Sequence, residues 1–365
     1  MKKIKYFYKN NIHILPPSSD ISDYLILFNF LTTGEEDYNS CISFFKEKLK
    51  GIENKKVILI VEDEGHYGSY IPNVFKDNFF DLIDEFSKST KNEIHLIVQN
   101  IIAGDIVEKK GYSFKAHGTS YFSENYLSLD KSYDEIYDDR FNKNKIEKTF
   151  ISYNRAARIQ RIYLHYKLDE LNIKDKGLFY WHGNHFDIST LELLTKYYGN
   201  YFNLEFLKNL NYSNQILPEK KLPVHDVRLG QEVIWEDYNK TFLSLVTETQ
   251  CGNDTVYFSE KIFKPIVSLH PFLLVGSPNS LKELKKIGYK TFDKWWDESY
   301  DLCDNLFDRI NKICDVLLEL NNLSKDEMFK MRLEMKDILI HNYENYKKRS
   351  NNNFLLDKII EINNS

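Results

Sequence analysis

The sequence predicts an α/β protein made of two facing Rossmann-like domains with a C-terminal helix. Short apolar runs typical of buried strands alternate with helical patterns, which is how βαβ units and parallel sheets look in sequence. The chain has 365 residues, enough for two domains of ordinary size. Hydrophobic residues make up 42% of it and aromatic residues 15%, which is sufficient for two cores.

The first domain is predicted at residues 1–145. Apolar runs predict buried strands, and apolar positions at helical spacing predict a helix at 75–86. The polar stretch 130–148, rich in Asp, Asn and Lys, marks the domain boundary. The predicted strands are 24–30, 57–61 and 94–98.

The second domain is predicted at residues 146–325, and a charged helical segment follows at 326–365. The same patterns predict four strands and three helices there. Gly288 is expected to stop the last of these helices. The predicted strands are 149–153, 178–181, 242–246 and 272–275, and the predicted helices are 156–171, 189–198 and 281–287.

The most informative motif lies between the last two predicted strands. Glu248 follows a strand, and Ser259 reads as the N-cap of a helix with Glu260 and Lys261 in its first turn. In open α/β sheets, ligands bind at the edge where such strands end. Free N–H groups at a helix start suit a phosphate, and Lys261 would add a full charge. The alternative is a capped amphipathic helix with an ordinary first-turn Glu and Lys.

The two carboxylates of this motif suit other parts of a ligand. Glu260 can accept hydrogen bonds from ribose hydroxyls. Glu248 lies where a carboxylate can face a developing positive charge on a sugar ring. These residue types therefore suit a nucleotide sugar, with the capped amphipathic helix as the alternative.

A second motif joins a predicted strand to a basic helix. Asn154 is followed by three arginines spaced three residues apart, of which Arg158 and Arg161 share a helix face. Cations near a helix N-terminus oppose the macrodipole, so they are unfavourable there unless an anion is present. A diphosphate would satisfy both arginines. The alternative is a solvated basic helix face.

Together these motifs resemble the donor site of the α-1,3-fucosyltransferase family, whose members have the GT-B arrangement of two Rossmann-like domains. The counterparts are Glu248, Ser259-Glu260-Lys261 and Gly276-Ser277-Pro278, with Asn154 and Arg161, and Arg158 next, at the arginine motif. The resemblance covers residues 149–300. Ser259 replaces the family's usual Thr, and the loop from Glu248 to Glu260 is longer.

The resemblance implies that Lys261 and an upstream arginine bind the donor diphosphate. It also implies that Glu260 meets the ribose and that Glu248 lies near the fucose. The expected activity is transfer of fucose from GDP-fucose to a glycan, with inversion and without a metal or other cofactor.

Inverting transfer requires a general base for the acceptor hydroxyl, and the first domain offers one cluster of candidates. Glu64, Glu62 and His66, in that order, follow the predicted strand 57–61, whose end is expected to face the interdomain cleft. The alternative is an acidic surface turn.

Other clusters carry weaker signals. His182, His185 and Asp187 have a spacing that zinc would accept, but no cysteine is near and we predict no metal site. Residues His117 to Thr119 read as a loop with no clear role. The aromatic residues Tyr289, Phe292, Trp295 and Trp296 could stack on a sugar or a base, but we interpret most of them as core.

Composition limits the class of protein. The formal net charge is −5, so no global basic field attracts nucleic acid. Four cysteines without C-x-x-C spacing read as free thiols of a reducing compartment. The basic start never becomes an apolar stretch, and no run approaches a membrane span, so we expect a cytoplasmic protein.

Two other functions remain open from the sequence. One is a viral or phage glycosyltransferase that modifies DNA bases, which would show a basic cleft. The other is a non-catalytic protein that binds glycans on the same fold. The chain lacks a Walker A loop, a G-x-G-x-x-G and a G-x-S-x-G, which argues against a phosphate-loop NTPase, a dinucleotide enzyme of the usual type and an α/β-hydrolase.

Overall fold

A computed structural model of the chain forms two compact units. It describes residues 5–8, 24–29, 38–62, 79–125, 127–154, 158–181, 198–201, 206, 232–253, 255–350, 357 and 359–362. The first unit contains Met1–Asn125, Gly252–Phe258 and Lys348–Ser365, and the second contains Tyr126–Cys251 and Ser259–Lys347. The division at Asn125 lies earlier than the predicted boundary after residue 145, and the polar stretch 130–148 belongs to the second unit.

The first unit is built on a parallel sheet whose five described strands lie in chain order. The strand β3 has the sequence KVILIVE, and its residues Val57 to Val61 have no exposed surface. Apolar residues on both faces of a strand are typical of a parallel sheet that is covered on both sides. The strands are β1 (Lys5–Tyr8), β2 (Tyr24–Asn29), β3 (Lys56–Glu62), β4 (Glu93–Val98) and β5 (Lys115–Gly118).

Helices of the first unit contribute apolar faces to its core. On α2, Phe79, Phe80, Ile83 and Phe86 are buried at the spacing of one helix face, and they join the strand residues in a single cluster. The helices are α1 (Tyr38–Lys48), α2 (Phe79–Lys88), α3 (Ala103–Lys110) and α4 (Tyr121–Glu124).

The last part of the chain is attached to the first unit by polar contacts. Arg349 Nε donates to Glu124 Oε1 at 2.7 Å, and the Glu124 side chain is fully buried. Lys56 Nζ donates to the carbonyl of Ile362 at 3.2 Å. The chain therefore ends in the unit in which it begins.

The second unit has a parallel sheet of four described strands in the order β7-β6-β8-β9. The strands are β6 (Lys148–Asn154), β7 (Gly177–Trp181), β8 (Thr241–Thr247) and β9 (Phe272–Val275). The chain moves from β6 to β7 on one side and then continues at β8 on the other side of β6. The sheet therefore has a topological switch point between β6 and β8.

Helices flank this sheet, and side-chain hydrogen bonds cap the N-termini of several of them. Ser259 caps α8, and Asn305 Oδ1 accepts from the N–H groups of Phe307 and Asp308 at the start of α10. The helices are α5 (Tyr133–Tyr137), a π-helical turn Asp138–Asn142, α6 (Ile159–Glu170), α7 (Trp235–Lys240), α8 (Glu260–Val267), α9 (Ser280–Lys286), α10 (Leu306–Asn321), α11 (Lys325–Glu334) and α12 (Lys336–Arg349), with 3₁₀ turns at Lys174–Lys176 and Ser299–Leu302.

The seven predicted strands are confirmed to within one residue at each end, but β1 and β5 were missed. The segment read as a loop at His117 to Thr119 contains the end of β5, and that interpretation was wrong. The sequence KAHG has no apolar run, so it gives no periodic signal. Gly118 is required there, because a Cβ atom would lie 2.3 Å from the carbonyl oxygen of Ile101.

Candidate functional site

The carboxyl ends of β6 and β8 meet at the switch point of the second sheet. Asn154 is the last residue of β6, and Glu248 directly follows β8. Thr247 Oγ1 donates to Asn154 Oδ1 at 2.8 Å, which joins the two strand ends. Crevices of this kind are where open α/β sheets bind ligands.

The start of α6 is tied to the backbone that follows β8. Arg158, the N-cap residue, donates from Nη1 to the carbonyl of Thr249 at 3.1 Å. Gln160 Nε2 donates to the carbonyl of Glu248 at 2.9 Å, and Arg161 Nη2 donates to that of Thr247 at 3.3 Å. Sequence reasoning found the two arginines at this position, but it missed Gln160.

Arg161 carries a buried charge at this edge. Its side chain is only 2% exposed. The pKa of its guanidinium is lowered to about 10, mainly by burial and also by the neighbouring charge of Arg158, while Glu260 and Glu248 act in the opposite direction. The group stays protonated at neutral pH. A cation close to a helix N-terminus is favoured by a nearby anion.

Glu248 fastens the start of α8 to the end of β8. Its carboxylate accepts hydrogen bonds from the N–H of Ser259 at 3.1 Å and from the hydroxyl of Ser259 at 2.5 Å. Burial raises the pKa of Glu248, although Lys261 and Ser259 oppose the shift. Glu248 thus has a structural role in this protein, and its expected place beside the sugar remains a prediction.

The first turn of α8 presents a partly exposed cation. Ser259 is confirmed as the N-cap, since its hydroxyl accepts from the N–H of Lys261 at 3.3 Å. Lys261 Nζ lies 2.8 Å from Glu260 Oε1 and 3.4 Å from Thr249 Oγ1. The side chains of Glu260 and Lys261 are 21% and 25% exposed, so both can be reached from solvent.

The charged side chains of α8 shift one another's pKa values. Burial favours the neutral form of Glu260, but the charges of Lys261 and Lys264 outweigh it, so the pKa of Glu260 is lowered. Burial lowers the pKa of Lys264 to about 8, against the opposing effect of Glu260. Three cations therefore lie near two carboxylates at the switch point, which is a balance that suits an anionic ligand. The cations are Arg158, Arg161 and Lys261, and the carboxylates are Glu248 and Glu260.

The loop that follows β9 is fixed by a buried arginine. Arg309 of α10 donates to the carbonyls of Gly276, Cys303 and Cys251, so it joins the loops that follow β8 and β9. A Cβ atom at Gly276 would lie 2.8 Å from Ser280 Oγ, which explains a glycine there. Asn154, Glu248 and Gly276 thus stand at the carboxyl ends of β6, β8 and β9.

The general-base candidates of the first unit are only partly described. Glu62 is the last residue of β3, whereas the sequence predicts that it directly follows the strand. Glu64 and His66 lie outside the described residues. The catalytic role of this cluster therefore remains a prediction.

The remaining candidates have mixed outcomes. Tyr289, Phe292 and Trp296 are at most 5% exposed, which confirms them as core. The cluster from His182 to Asp187 lies outside the described residues. Among the residues that the structure describes, no group of three or more His, Cys, Asp or Glu side chains is arranged to hold a metal ion.

Cysteines and hydropathy give two further facts. Cys251, Cys303 and Cys314 are free thiols. Within the described ranges, no helix combines the length and the apolar character that crossing a membrane requires.

We compared the chain with protein families, curated proteins and solved structures. No protein-family model matches the chain, and no curated protein matches it. A solved structure described as "Crystal structure of GtfA/B complex" is similar, with 10% sequence identity and a TM-score of 0.40. The similarity covers 93% of this chain, which spans 58% of the other chain. Similarity at this level carries no information on chemistry.

Proposed function

We propose that this protein is a glycosyltransferase of the GT-B type that uses a nucleotide-sugar donor. The observation that carries the proposal is the meeting of two helix N-termini, those of α6 and α8, at the switch point of the second sheet, with Arg158, Arg161 and Lys261 on them. Backbone N–H groups and cations at helix starts are suited to phosphate groups. The negative charge of a diphosphate is complementary to these three cations.

Each site residue has a proposed task. Lys261 and Arg158, which are partly exposed, contact the diphosphate directly. The buried guanidinium of Arg161 attracts the diphosphate electrostatically without contacting it. Glu260 accepts hydrogen bonds from the ribose hydroxyls, and binding of the diphosphate moves Lys261 away from it. Glu248 accepts hydrogen bonds from Ser259 and thereby positions the N-terminus of α8. The sugar of the donor is expected near Glu248.

The proposed reaction is direct displacement with inversion. The acceptor hydroxyl attacks the anomeric carbon of the donor as the bond to the diphosphate breaks, and the cations stabilise the negative charge of the departing diphosphate. Side chains thus fill the role that a divalent cation has in other transferases. GDP-fucose is the proposed donor, from the resemblance of the site to α-1,3-fucosyltransferases, and a glycan is the proposed acceptor.

The proposed general base belongs to the cluster Glu62, Glu64 and His66, with Glu64 as first choice. A carboxylate that is partly desolvated becomes a stronger base because its pKa rises. Glu64→Gln should lower kcat by about 10²–10⁴-fold and leave donor affinity unchanged. If Glu62→Gln, Glu64→Gln and His66→Ala all retain normal kcat, the base lies elsewhere.

A thermal-shift screen against GDP, UDP, CMP and dTDP sugars tests the proposed function. A ligand that binds only the folded state raises the melting temperature, so one nucleotide class should stand out. Release of that nucleotide in the presence of a glycan panel then measures transfer. The proposal fails if no nucleotide sugar raises the melting temperature at millimolar concentration.

A further inference from the structure

Two arginine side chains of the second unit are buried near the amino ends of β8 and β9, away from the candidate site. Arg140 comes from the π-helical turn and is 1% exposed, and Arg332 comes from α11 and has no exposed surface. An arginine side chain keeps its proton in proteins because its ordinary pKa is so high. Two positive charges are therefore buried in the same part of this unit.

The charge of Arg140 is compensated in part. Its Nε donates to the carbonyl of Ser268 at 2.9 Å, and its Nη1 donates to the carbonyl of Tyr238 at 2.5 Å. Ser268 is the C-cap residue of α8, and the C-terminus of a helix carries a partial negative charge. Burial lowers the pKa of Arg140 to about 10, while the charge of Asp139 acts in the opposite direction.

Arg332 is compensated less well. Its Nη2 donates to the carbonyls of Thr241 at 2.5 Å and Phe242 at 3.1 Å. Its Nε and Nη1 are buried, and neither has a hydrogen-bond acceptor in the protein. Burial lowers the pKa of Arg332 well below its ordinary value, the charge of Arg140 acts in the same direction, and no carboxylate of the described residues opposes them. The Arg332 guanidinium thus lacks both an acceptor and a counter-charge.

The neighbouring histidine adds no negative charge and no acceptor for Arg332. His270 Nε2 lies 2.8 Å from the carbonyl of Thr241 and donates to it, so Nδ1 accepts from the hydroxyl of Ser244 at 2.8 Å. Burial and the charges of Arg140 and Arg332 lower the pKa of His270 well below its ordinary value, and the ring is neutral at pH 7. Arg140, His270 and Arg332 are called the basic cluster below.

We propose that the basic cluster binds a small inorganic anion of the chloride type, with Arg332 Nε and Nη1 as its donors and Arg140 as the second charge. A buried charge without a counter-charge and a buried donor without an acceptor both destabilise the folded state. A monovalent anion supplies the acceptor and the negative charge, whereas a water molecule supplies only the acceptor. Because the arginines are closed to solvent, a ligand of nucleotide size does not fit. The anion stabilises the second unit where α11 packs on the start of β8.

Urea unfolding of the full chain in sodium chloride and in sodium gluconate, at equal ionic strength, tests the proposal. Gluconate is too large for a closed site, and equal ionic strength removes differences in general screening. One anion that binds only the folded state raises the folding equilibrium constant about tenfold for each tenfold rise in chloride above the dissociation constant. The wild type should show this response in chloride, and gluconate should not produce it.

Arg332→Met removes the two donors and the charge and leaves an apolar side chain. The variant should fold, because apolar replacements of buried charges are often tolerated, and its stability should be the same in both salts. Lys330→Met is the matched control, since it removes a cation from the exposed side of the same helix. Arg309→Met is a second control, because Nε, Nη1 and Nη2 of this buried arginine all donate to carbonyls. Both controls should keep the chloride response.

Chloride could also act at the proposed diphosphate site, and Lys261→Ala separates the two sites. This variant should keep the full chloride response, whether or not the protein binds a nucleotide. A crystal grown in sodium bromide should show an anomalous peak within hydrogen-bond distance of Arg332, whereas peaks only on the surface would indicate adventitious ions only and overturn the proposal. Equal stability of the wild type in both salts would also overturn it, even if Arg332→Met does not fold. So would a chloride response that persists in Arg332→Met or disappears in Lys261→Ala.

Discussion

Glu248 illustrates how one carboxylate can have a structural task inside a binding site. Its oxygens accept from the N–H and hydroxyl of Ser259, and burial raises its pKa. The resemblance seen in the sequence predicts that this residue lies near the donor sugar. Its observed contacts are the hydrogen bonds with Ser259, which orient the start of α8. Any contact of Glu248 with the sugar must leave those hydrogen bonds in place.

Lys264 offers a pH-dependent test of the charges on α8. Its pKa is lowered from 10.5 to about 8 by burial, so the folded state disfavours its charge. Above pH 10.5 the amine is neutral in both states, and below pH 8 it is charged in both. Between these values the unfolded chain binds more protons, so the contribution of Lys264 to stability rises with pH.

Lys264→Met should therefore be more stable than wild type at pH 7, by about 1–3 kcal/mol, and this advantage should disappear between pH 8 and pH 10.5. Urea unfolding at several pH values measures the difference. Lys282→Met, an exposed lysine on α9, is the control and should show no such trend. If the difference in the free energy of unfolding between Lys264→Met and wild type does not vary with pH, burial of the Lys264 charge does not destabilise the folded state.

The start of α8 depends on the side chain of Ser259. The hydroxyl of Ser259 accepts from the N–H of Lys261 and donates to the buried carboxylate of Glu248. Ser324 caps α11 in a similar way, but in an exposed capping box with Glu327. The two serines therefore form a natural comparison.

Ser259→Ala should lower the free energy of unfolding by about 2–3 kcal/mol, because a cap and a hydrogen bond to a buried carboxylate are both lost. Ser324→Ala should cost only about 0.5–1 kcal/mol. Ser259→Thr keeps the hydroxyl and should be close to wild type. Chemical denaturation gives these values, and equal costs for the two alanine variants would mean that the bond to Glu248 contributes nothing.

The limits of prediction from sequence also lie at the scale of elements. The strands β8 and β9 and the N-cap at Ser259 were predicted because apolar runs and capping residues act locally. The tasks of Gln160 and Arg309 could not be predicted, because each side chain binds carbonyls of loops distant in sequence. Such contacts leave no periodic signal, and neither does the short strand β5.

For the whole molecule, the order of the second sheet creates the candidate site. The switch point between β6 and β8 places two helix N-termini at the same edge, and the charges on them suit an anionic ligand. The alternation of strands and helices predicts two parallel sheets, but not the strand order within them.

At the scale of the whole molecule, we predict that sugar transfer does not require a divalent cation. If the cations of α6 and α8 stabilise the leaving diphosphate, sugar transfer should proceed at an unchanged rate in EDTA. Nucleotide release measured with EDTA and with added Mg²⁺ or Mn²⁺ gives the comparison. Loss of turnover in EDTA, restored by a divalent cation, would point to a metal-assisted reaction and return attention to His182, His185 and Asp187.

The central claim is that a nucleotide diphosphate binds at the switch point of the second sheet, on the N-terminal turn of α8. Calorimetric titration of GDP into wild-type protein, Lys261→Ala and the exposed-lysine control Lys282→Ala tests it most directly. The wild type and the control should bind one GDP per chain with equal affinity. Lys261→Ala should bind about ten- to a hundredfold more weakly, since a charge-assisted contact contributes about 1.5–3 kcal/mol. Equal affinity in Lys261→Ala, or no saturable binding of GDP or any other nucleoside diphosphate to the wild type, would contradict the claim.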